Sequence, residues 1–283
     1  MLLATSLCSS FSVRGQGAPP LRRVDLRLDN LADSGSYLVY AYRIVNARES
    51  RGGGALFSLD VAAPPGTGFP TLPSTGRFVH GPGVPGVTGA HDHVPVGPIS
   101  PINWEAFLNK DATLDWYGSH GGFEGDIDSI APGDSLRGFA LRSPYLPGIR
   151  QSWAAPTFRS CCTNLRPRQQ ASGPEYPNPS EFKILGWTVG PTYAPGTVTL
   201  DVMAALLTRV CGELAWVERA QVCHSLRAKL NQGVQVRGDR DGSSRALLAL
   251  LEELEAQHGP GKPVNDNAYW LLKANGEYLL AHM

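Results

Sequence analysis

Two histidines in a glycine-rich stretch are the first candidates for chemistry. His91 and His93 lie two residues apart in "GAHDHVPVG". In a strand, both imidazoles would project to the same side and could share a metal ion with a third ligand such as His80 or His120. A metal-dependent hydrolase that uses these histidines and a carboxylate is therefore one hypothesis. Because histidines in proline- and glycine-rich loops are usually solvated or hydrogen-bonded, we do not predict a metal here.

An acidic stretch, "GFEGDIDSIAPGD", is the second candidate. Asp126 and Asp128, together with Glu124 and Asp134, offer hard oxygen ligands at alternate positions, which can hold calcium. The complete D-x-[DN]-x-[DN]-G pattern of an EF-hand is absent, and acids beside glycine and proline commonly form turns. The same carboxylates could serve a glycosidase, but a pair that is close in sequence says little by itself. We expect turn-forming and capping acids.

The cysteine pair Cys211 and Cys223 lies in "RVCGELAWVERAQVCHSLRAKL". Neither the C-x2-C spacing of structural zinc nor the C-x-x-C-H motif of covalently bound haem occurs. Cys211 should end one helix and Cys223 should lie one turn into the next, both at or beside an apolar stripe, so the two side chains can meet. We predict a disulfide, with structural free thiols or a metal site as the alternatives.

Cys161 and Cys162 are adjacent and can close only a strained eight-membered ring. A vicinal disulfide, two free thiols and an intermolecular bridge are the alternatives for this pair. A redox-active pair would normally be C-x-x-C at the start of a helix, so we do not expect catalysis.

Four aromatic residues, Trp104, Trp116, Tyr117 and Phe123, fall in a stretch that we expect to be irregular. If exposed and coplanar, they would form a sugar-stacking platform typical of a carbohydrate-binding or adhesion module. If grouped, they would form a patch that contacts a partner protein. Core packing under a long loop is the third interpretation. We predict that these four residues contact a partner protein.

The predicted secondary structure changes from strands to helices near residue 196. Before it, short strands alternate with proline and glycine turns, at 22–30, 36–47, 54–63, 134–143 and 181–192. We expect a long loop with short edge strands over 64–100, and a polar link over 150–180. This pattern favours an antiparallel β-sandwich over 22–195.

Four helices are predicted after Gly196. Apolar residues recur at i, i+3, i+4 and i+7, as in Met203, Leu206, Leu207 and Val210. Two further stripes follow, and we expect the third helix to start at Ser243. A fourth helix should run from Asn265 to about Ala281. Short connections between them predict a small four-helix bundle over 197–283, and hence a two-domain, β plus α chain.

Composition excludes several classes of function. The 283 residues carry 25 basic and 25 acidic side chains, so no surplus of positive charge is available for nucleic acid. No apolar run is long enough for a transmembrane helix. Residues 1–21 form a weakly apolar segment that is signal-like or disordered. No G-x-S-x-G, H-E-x-x-H, Walker A or G-x-G-x-x-G motif occurs, so we predict neither an enzyme nor a cofactor.

The helical segment resembles the FIMAH module of exported bacterial proteins. The matching stretches are the cysteine pair, "SLRAKL", "LEELEAQHG" and "AYWLLKANGEYLL". The front of the chain looks like exported bacterial proteins that carry a "PG-D-SL-RGF-A-L-RS" strand before such a module. The combination also resembles membrane-extrinsic polypeptides that brace a bacterial photosynthetic reaction centre inside its antenna ring.

These resemblances, together with the cysteines and the leader-like start, imply an extracytoplasmic protein in the periplasm or at the cell surface, peripheral to the membrane. We expect a structural or scaffold subunit whose partners are other protein subunits of an envelope or membrane complex.

Overall fold

A computed structural model describes residues 24–33, 35, 37–50, 54–60, 78–80, 98–99, 104–108, 113–118, 130–156, 184–236 and 238–283. The strands of this part of the chain are β1 Val24–Asp33, β2 Leu38–Asn46, β3 Gly54–Asp60, β4 Phe78–His80, β5 Pro98–Ile99, β6 Trp104–Leu108, β7 Thr113–Gly118, β8 Ser135–Ser143, β9 Leu146–Pro156 and β10 Ile184–Tyr193. The helices are α1 Leu200–Cys211, α2 Ala220–Gln235, α3 Arg240–Gln257 and α4 Asp266–His282.

The strands form two antiparallel sheets. One has the order β1-β2-β8-β5, and the other has the order β10-β9-β3-β7-β6-β4. The predicted mixture of antiparallel strands followed by four helices is confirmed. The short strands β4 and β5 fall within 64–100 and lie at sheet edges, as expected for a proline-rich stretch.

Two stretches that we predicted to be irregular are strands. Strand β9 takes the place of the first part of the predicted polar link and pairs with β10 from Leu146↔Tyr193 to Ala154↔Ile184. It was missed because it contains Pro147 and Gly148, which weaken a strand pattern. Strands β6 and β7 pair with each other in the aromatic stretch that we expected to be a loop.

The buried side chains of the two sheets meet around Trp116. This residue is fully buried, and its ring centroid lies 5.7 Å from that of Phe139 and 5.8 Å from that of Tyr42. Tyr42 and Tyr40 are also buried, and each hydroxyl donates a hydrogen bond to a backbone carbonyl. The hydroxyl of Tyr42 reaches Val189 of the other sheet at 2.9 Å. These contacts join β2 and β8 to β7 and β10.

The helices begin and end close to their predicted bounds. Thr199 caps α1 and Asn265 caps α4, each with a side-chain oxygen that accepts a backbone N–H of the first turn. The predicted stripes are buried, with Leu206, Leu226 and Leu250 all below 4% exposed. Helix α3 starts at Arg240, three residues before the predicted Ser243.

Helix α4 packs against the strands as well as against the other helices. Asn267 accepts a hydrogen bond from the backbone N–H of Leu28 at 2.7 Å. The indole of Trp270 donates to the carbonyl of Asp29 at 3.0 Å, and Asn275 donates to the carbonyl of Pro147 at 2.9 Å. The predicted boundary near residue 196 therefore separates two kinds of secondary structure that share contacts across it.

Candidate functional site

The disulfide between Cys211 and Cys223 is present. It joins the C-terminal end of α1 to the first turn of α2, with the two Cα atoms 5.8 Å apart. Cys223 is 4% exposed, whereas Cys211 is partly exposed. The bond closes the loop 212–219, so the prediction made from helix placement is confirmed.

The closed loop holds the segment that precedes α4. The backbone N–H of Glu218 donates to the carbonyl of Pro263 at 2.8 Å, and the N–H of Asn265 donates to the carbonyl of Trp216 at 3.0 Å. Val217 also forms an isolated antiparallel bridge with Val264 in that segment. The disulfide loop thus fixes the residue that caps α4.

An ionic cluster lies where the start of α4 contacts the four-stranded sheet. Arg43 on β2 lies 2.9 Å from a carboxylate oxygen of Asp266 and 3.1 Å from one of Asp29. The second oxygen of Asp29 is 2.7 Å from Arg137 on β8, and His258 Nε2 is 3.0 Å from Asp266. β-bulges place these groups, because the registers shift beside Asp29 and beside Arg43. The cluster pairs opposite charges, so we assign it a structural role.

A second polar group extends from this cluster along α4. The ring of His258 stacks on Tyr269 with the centroids 3.8 Å apart. The Tyr269 hydroxyl donates to Glu255 and accepts from Lys273 at 2.8 Å. The hydrogen bond from Tyr269, followed by the charge of Lys273, lowers the pKa of Glu255. The hydrogen bond to Tyr269 also raises the pKa of Lys273, so both groups are charged at neutral pH.

Two exposed apolar side chains of the six-stranded sheet lie near one end of its edge strand β10. Leu185 is 70% exposed and Trp187 is 38% exposed, both on β10. They pair with Trp153 and Gln151 of β9, so the four side chains share one face of the sheet. The guanidinium of Arg209 on α1 lies 5.0 Å from the Trp187 ring centroid. We call these five residues the outer patch.

A neighbouring part of this face is buried. Val189 and Ile149 are paired on the same face as Trp187, but both are buried, and α4 contacts both of their strands. The outer patch therefore adjoins a buried part of the same face. Arg209 is held by a two-point ion pair with Glu213 at 3.0 and 3.2 Å, so the patch has a neutral, aromatic character.

The prediction that Trp116 contacts a partner protein is wrong. Its ring packs in the core between β2 and β8, so it contacts neither a partner nor a sugar in this fold. An exposed platform of Trp104 beside Trp116 is excluded for the same reason. Trp104 pairs with Gly118 on β7, and Tyr117 pairs with Leu56 on β3, which places both in the six-stranded sheet.

The other predicted site residues lie outside the described residues. These are His91 and His93, Asp126 and Asp128, the pair Cys161 and Cys162, Phe123, and the N-terminal segment 1–21. Among the residues that the structure does describe, no three His, Cys, Asp or Glu side chains are grouped so that they could hold a metal ion. None of the helices described here combines the length and apolar character needed to cross a membrane.

The outer patch was not predicted, although the sequence carries a signal for it. In "ILGWTVG" the residues Leu185, Trp187 and Val189 alternate with Gly and Thr, as in a strand with one strongly apolar face. Such a face is expected to be wholly buried, and only the structure shows where its cover ends. The chain matches no protein-family model, and comparisons with curated proteins and with solved structures found no similar protein.

Proposed function

We propose that this chain is a non-enzymatic extracytoplasmic structural protein that docks onto other protein subunits of a membrane or envelope complex. The outer patch is the observation that carries the proposal. It combines a leucine, two tryptophans and an arginine, the residue types that anchor protein interfaces. The ion pair of Arg209 with Glu213 leaves the patch neutral, which suits an apolar partner surface.

The disulfide supports the extracytoplasmic part of the proposal. Structural disulfides form and persist in oxidising compartments such as the periplasm and are rare in the cytosol. The bond between Cys211 and Cys223 closes the loop that fixes the cap of α4, so it contributes to the fold.

The proposal also includes the finer architecture. We propose that the two sheets pack as a β-sandwich and that the four helices form a bundle of the FIMAH type. The resemblance to membrane-extrinsic subunits of photosynthetic reaction centre–antenna complexes makes such a complex the first partner to examine. Contacts of Trp116 with Phe139 and Tyr42, between the sheets, support the sandwich.

Native gel electrophoresis of membranes from the source cells tests this function. The wild-type chain should migrate in an assembly much larger than its own 30.4 kDa. Leu185→Glu and Trp187→Ala should release it, since an anchor residue typically contributes about 2 kcal/mol or more to binding. Asn231→Glu, at an exposed position of α2, is the control and should leave the assembly intact. A wild-type chain that migrates alone, or variants that stay in the assembly, would overturn the proposal.

A further inference from the structure

An open groove of about 490 Å³ lies between the last turns of α3 and the middle of α4. It is lined by Leu251, Glu252, Glu255, Ala256, Lys273 and Glu277. Gly276 on α4 shapes it, because a Cβ atom there would lie 2.9 Å from a methyl group of Leu251. The absence of a side chain lets the leucine settle against α4, where it supplies an apolar surface inside the groove.

An exposed leucine extends this apolar surface along α3. Leu248 is 49% exposed, although leucine in a helix usually faces the core. It lies three residues before Leu251 and four before Glu252, so all three share one side of the helix. A ligand in the groove would therefore meet two leucines in succession.

The groove is acidic. Its lining holds three carboxylates and one ammonium group, which gives a net charge of −2. The ammonium of Lys273 is already bonded to the Tyr269 hydroxyl at 2.8 Å and lies 3.4 Å from Glu255. Exposed Glu277 also lies 4.0 Å from this ammonium, so two carboxylates share one cation. The exposed Glu252 has no ion pair among the described residues, so the groove keeps an excess of negative charge.

The helix dipole adds to this field. Cations are favoured near a helix C-terminus, yet the last turn of α3 contains no basic residue of its own, and Glu252 and Glu255 lie close to it. The ammonium of Lys262, which follows the helix, donates to the carbonyl of Ala256 at 2.7 Å and compensates part of this charge. The carboxylates thus stand where the dipole already makes the potential negative. A bound cationic group would add to the compensation that Lys262 provides.

We propose that the groove binds a basic amphipathic segment of a partner protein. Apolar side chains of the segment would contact Leu248 and Leu251, and its lysine or arginine side chains would lie beside Glu252 and Glu277. This surface is separate from the outer patch, and the proposal does not depend on the function proposed above.

The test is a fluorescence anisotropy titration of the full-length chain with two labelled peptides of about 15 residues. Both carry leucine at i, i+3, i+4 and i+7; the other positions are lysine in one and glutamate in the other. The lysine peptide should bind at least about tenfold more tightly than the glutamate peptide. Replacing Glu252 and Glu277 together by glutamine should weaken its binding by about threefold to tenfold.

Two control variants and one further test variant make the result specific. Glu218→Gln removes an exposed carboxylate outside the groove and should leave binding unchanged, as should Trp187→Ala in the outer patch. Leu248→Ser should weaken binding of the lysine peptide, although it leaves the charge of the groove unchanged. The proposal would be overturned if the doubly substituted chain bound the lysine peptide as tightly as the wild type. It would also be overturned if Glu218→Gln lost as much affinity as the double substitution. Sedimentation that shows a wild-type dimer abolished by the double substitution would also overturn it, because the occupant would then be a second copy of this chain.

Discussion

Replacement of Asn267 by alanine tests the contact that joins α4 to β1. The side chain is 5% exposed, and its oxygen accepts the backbone N–H of Leu28 at 2.7 Å. Its amide nitrogen lies 3.4 Å from the carbonyl of Leu26. The β1–β2 register shifts directly after Leu28, so the strand is irregular where this side chain meets it.

The expected loss of stability follows from the backbone N–H that loses its hydrogen-bond acceptor. In Asn267→Ala the N–H of Leu28 stays beside a fully buried side chain and loses its acceptor, which costs about 1–3 kcal/mol. The longer bond to Leu26 adds a few tenths of a kcal/mol at most. We expect the free energy of unfolding to fall by about 2 kcal/mol and the melting temperature by roughly 4–8 °C.

Urea unfolding of the full-length chain, followed by far-ultraviolet circular dichroism and by tryptophan fluorescence, measures this change. Asn231→Ala is the matched control, because Asn231 is exposed on α2 and its loss should alter the free energy of unfolding by less than about 0.5 kcal/mol. If Asn267→Ala changed stability no more than this control, the hydrogen bond to β1 would contribute nothing, and the proposed coupling between α4 and the sheet would be refuted.

Three further predictions concern the core and the disulfide. Reduction of the disulfide should lower the free energy of unfolding by roughly 3 kcal/mol, measured by urea unfolding with and without reductant; equal midpoints would contradict it. Trp116→Ala should destabilise the chain by about 3–5 kcal/mol, whereas Trp187→Ala should cost less than about 1 kcal/mol, and comparable melting temperatures would contradict the assignment of core and surface. Burial raises the pKa of Tyr40 and Tyr42 well above the ordinary value of 10.0, so their contribution to stability is fully present below pH 10 and is lost as the pH rises further. Unfolding midpoints measured from pH 8 to about 11.5 should therefore fall above pH 10, and less steeply in a chain with both tyrosines replaced by phenylalanine.

The helices could be predicted from the sequence because one physical pattern determines them. A stripe such as Met203, Leu206, Leu207 and Val210 has the helical period, and no other regular structure would bury all four. The stripe also places Cys211 at the end of its helix, beside the start of the next. The disulfide therefore followed from the same pattern, without knowledge of how the helices contact the strands.

Strands such as β9 could not be predicted in the same way. Within β9, Ser152 and Ala154 are buried on one face of the strand, and Ile149 is buried on the other. Gln151, which lies between these residues, is exposed. A strand covered on part of both faces has no simple alternation, and its hydrogen-bond partner β10 begins 28 residues after it ends. Such pairing depends on contacts that are distant in sequence.

The roles of the tryptophans were hard to predict for a related reason. Trp116 follows Asp115 in its strand, and Trp187 lies between Gly186 and Thr188 in its own, so nothing local distinguishes a core ring from a surface ring. The difference comes from what lies opposite each strand. Trp116 faces Phe139 and Tyr42 of the other sheet, whereas Trp187 faces one arginine from the end of α1.

The disulfide and the outer patch are connected through α4. The closed loop fixes Asn265, which caps α4, and Asn267 in the next turn bonds to β1. Further along the same helix, Asn275 donates a hydrogen bond to the carbonyl of Pro147 on β9, the strand that pairs with β10. Helix α4 therefore contacts both strands that carry the outer patch. A covalent bond between the first two helices thus acts, through the cap of α4, on the helix that packs against the strands of the outer patch.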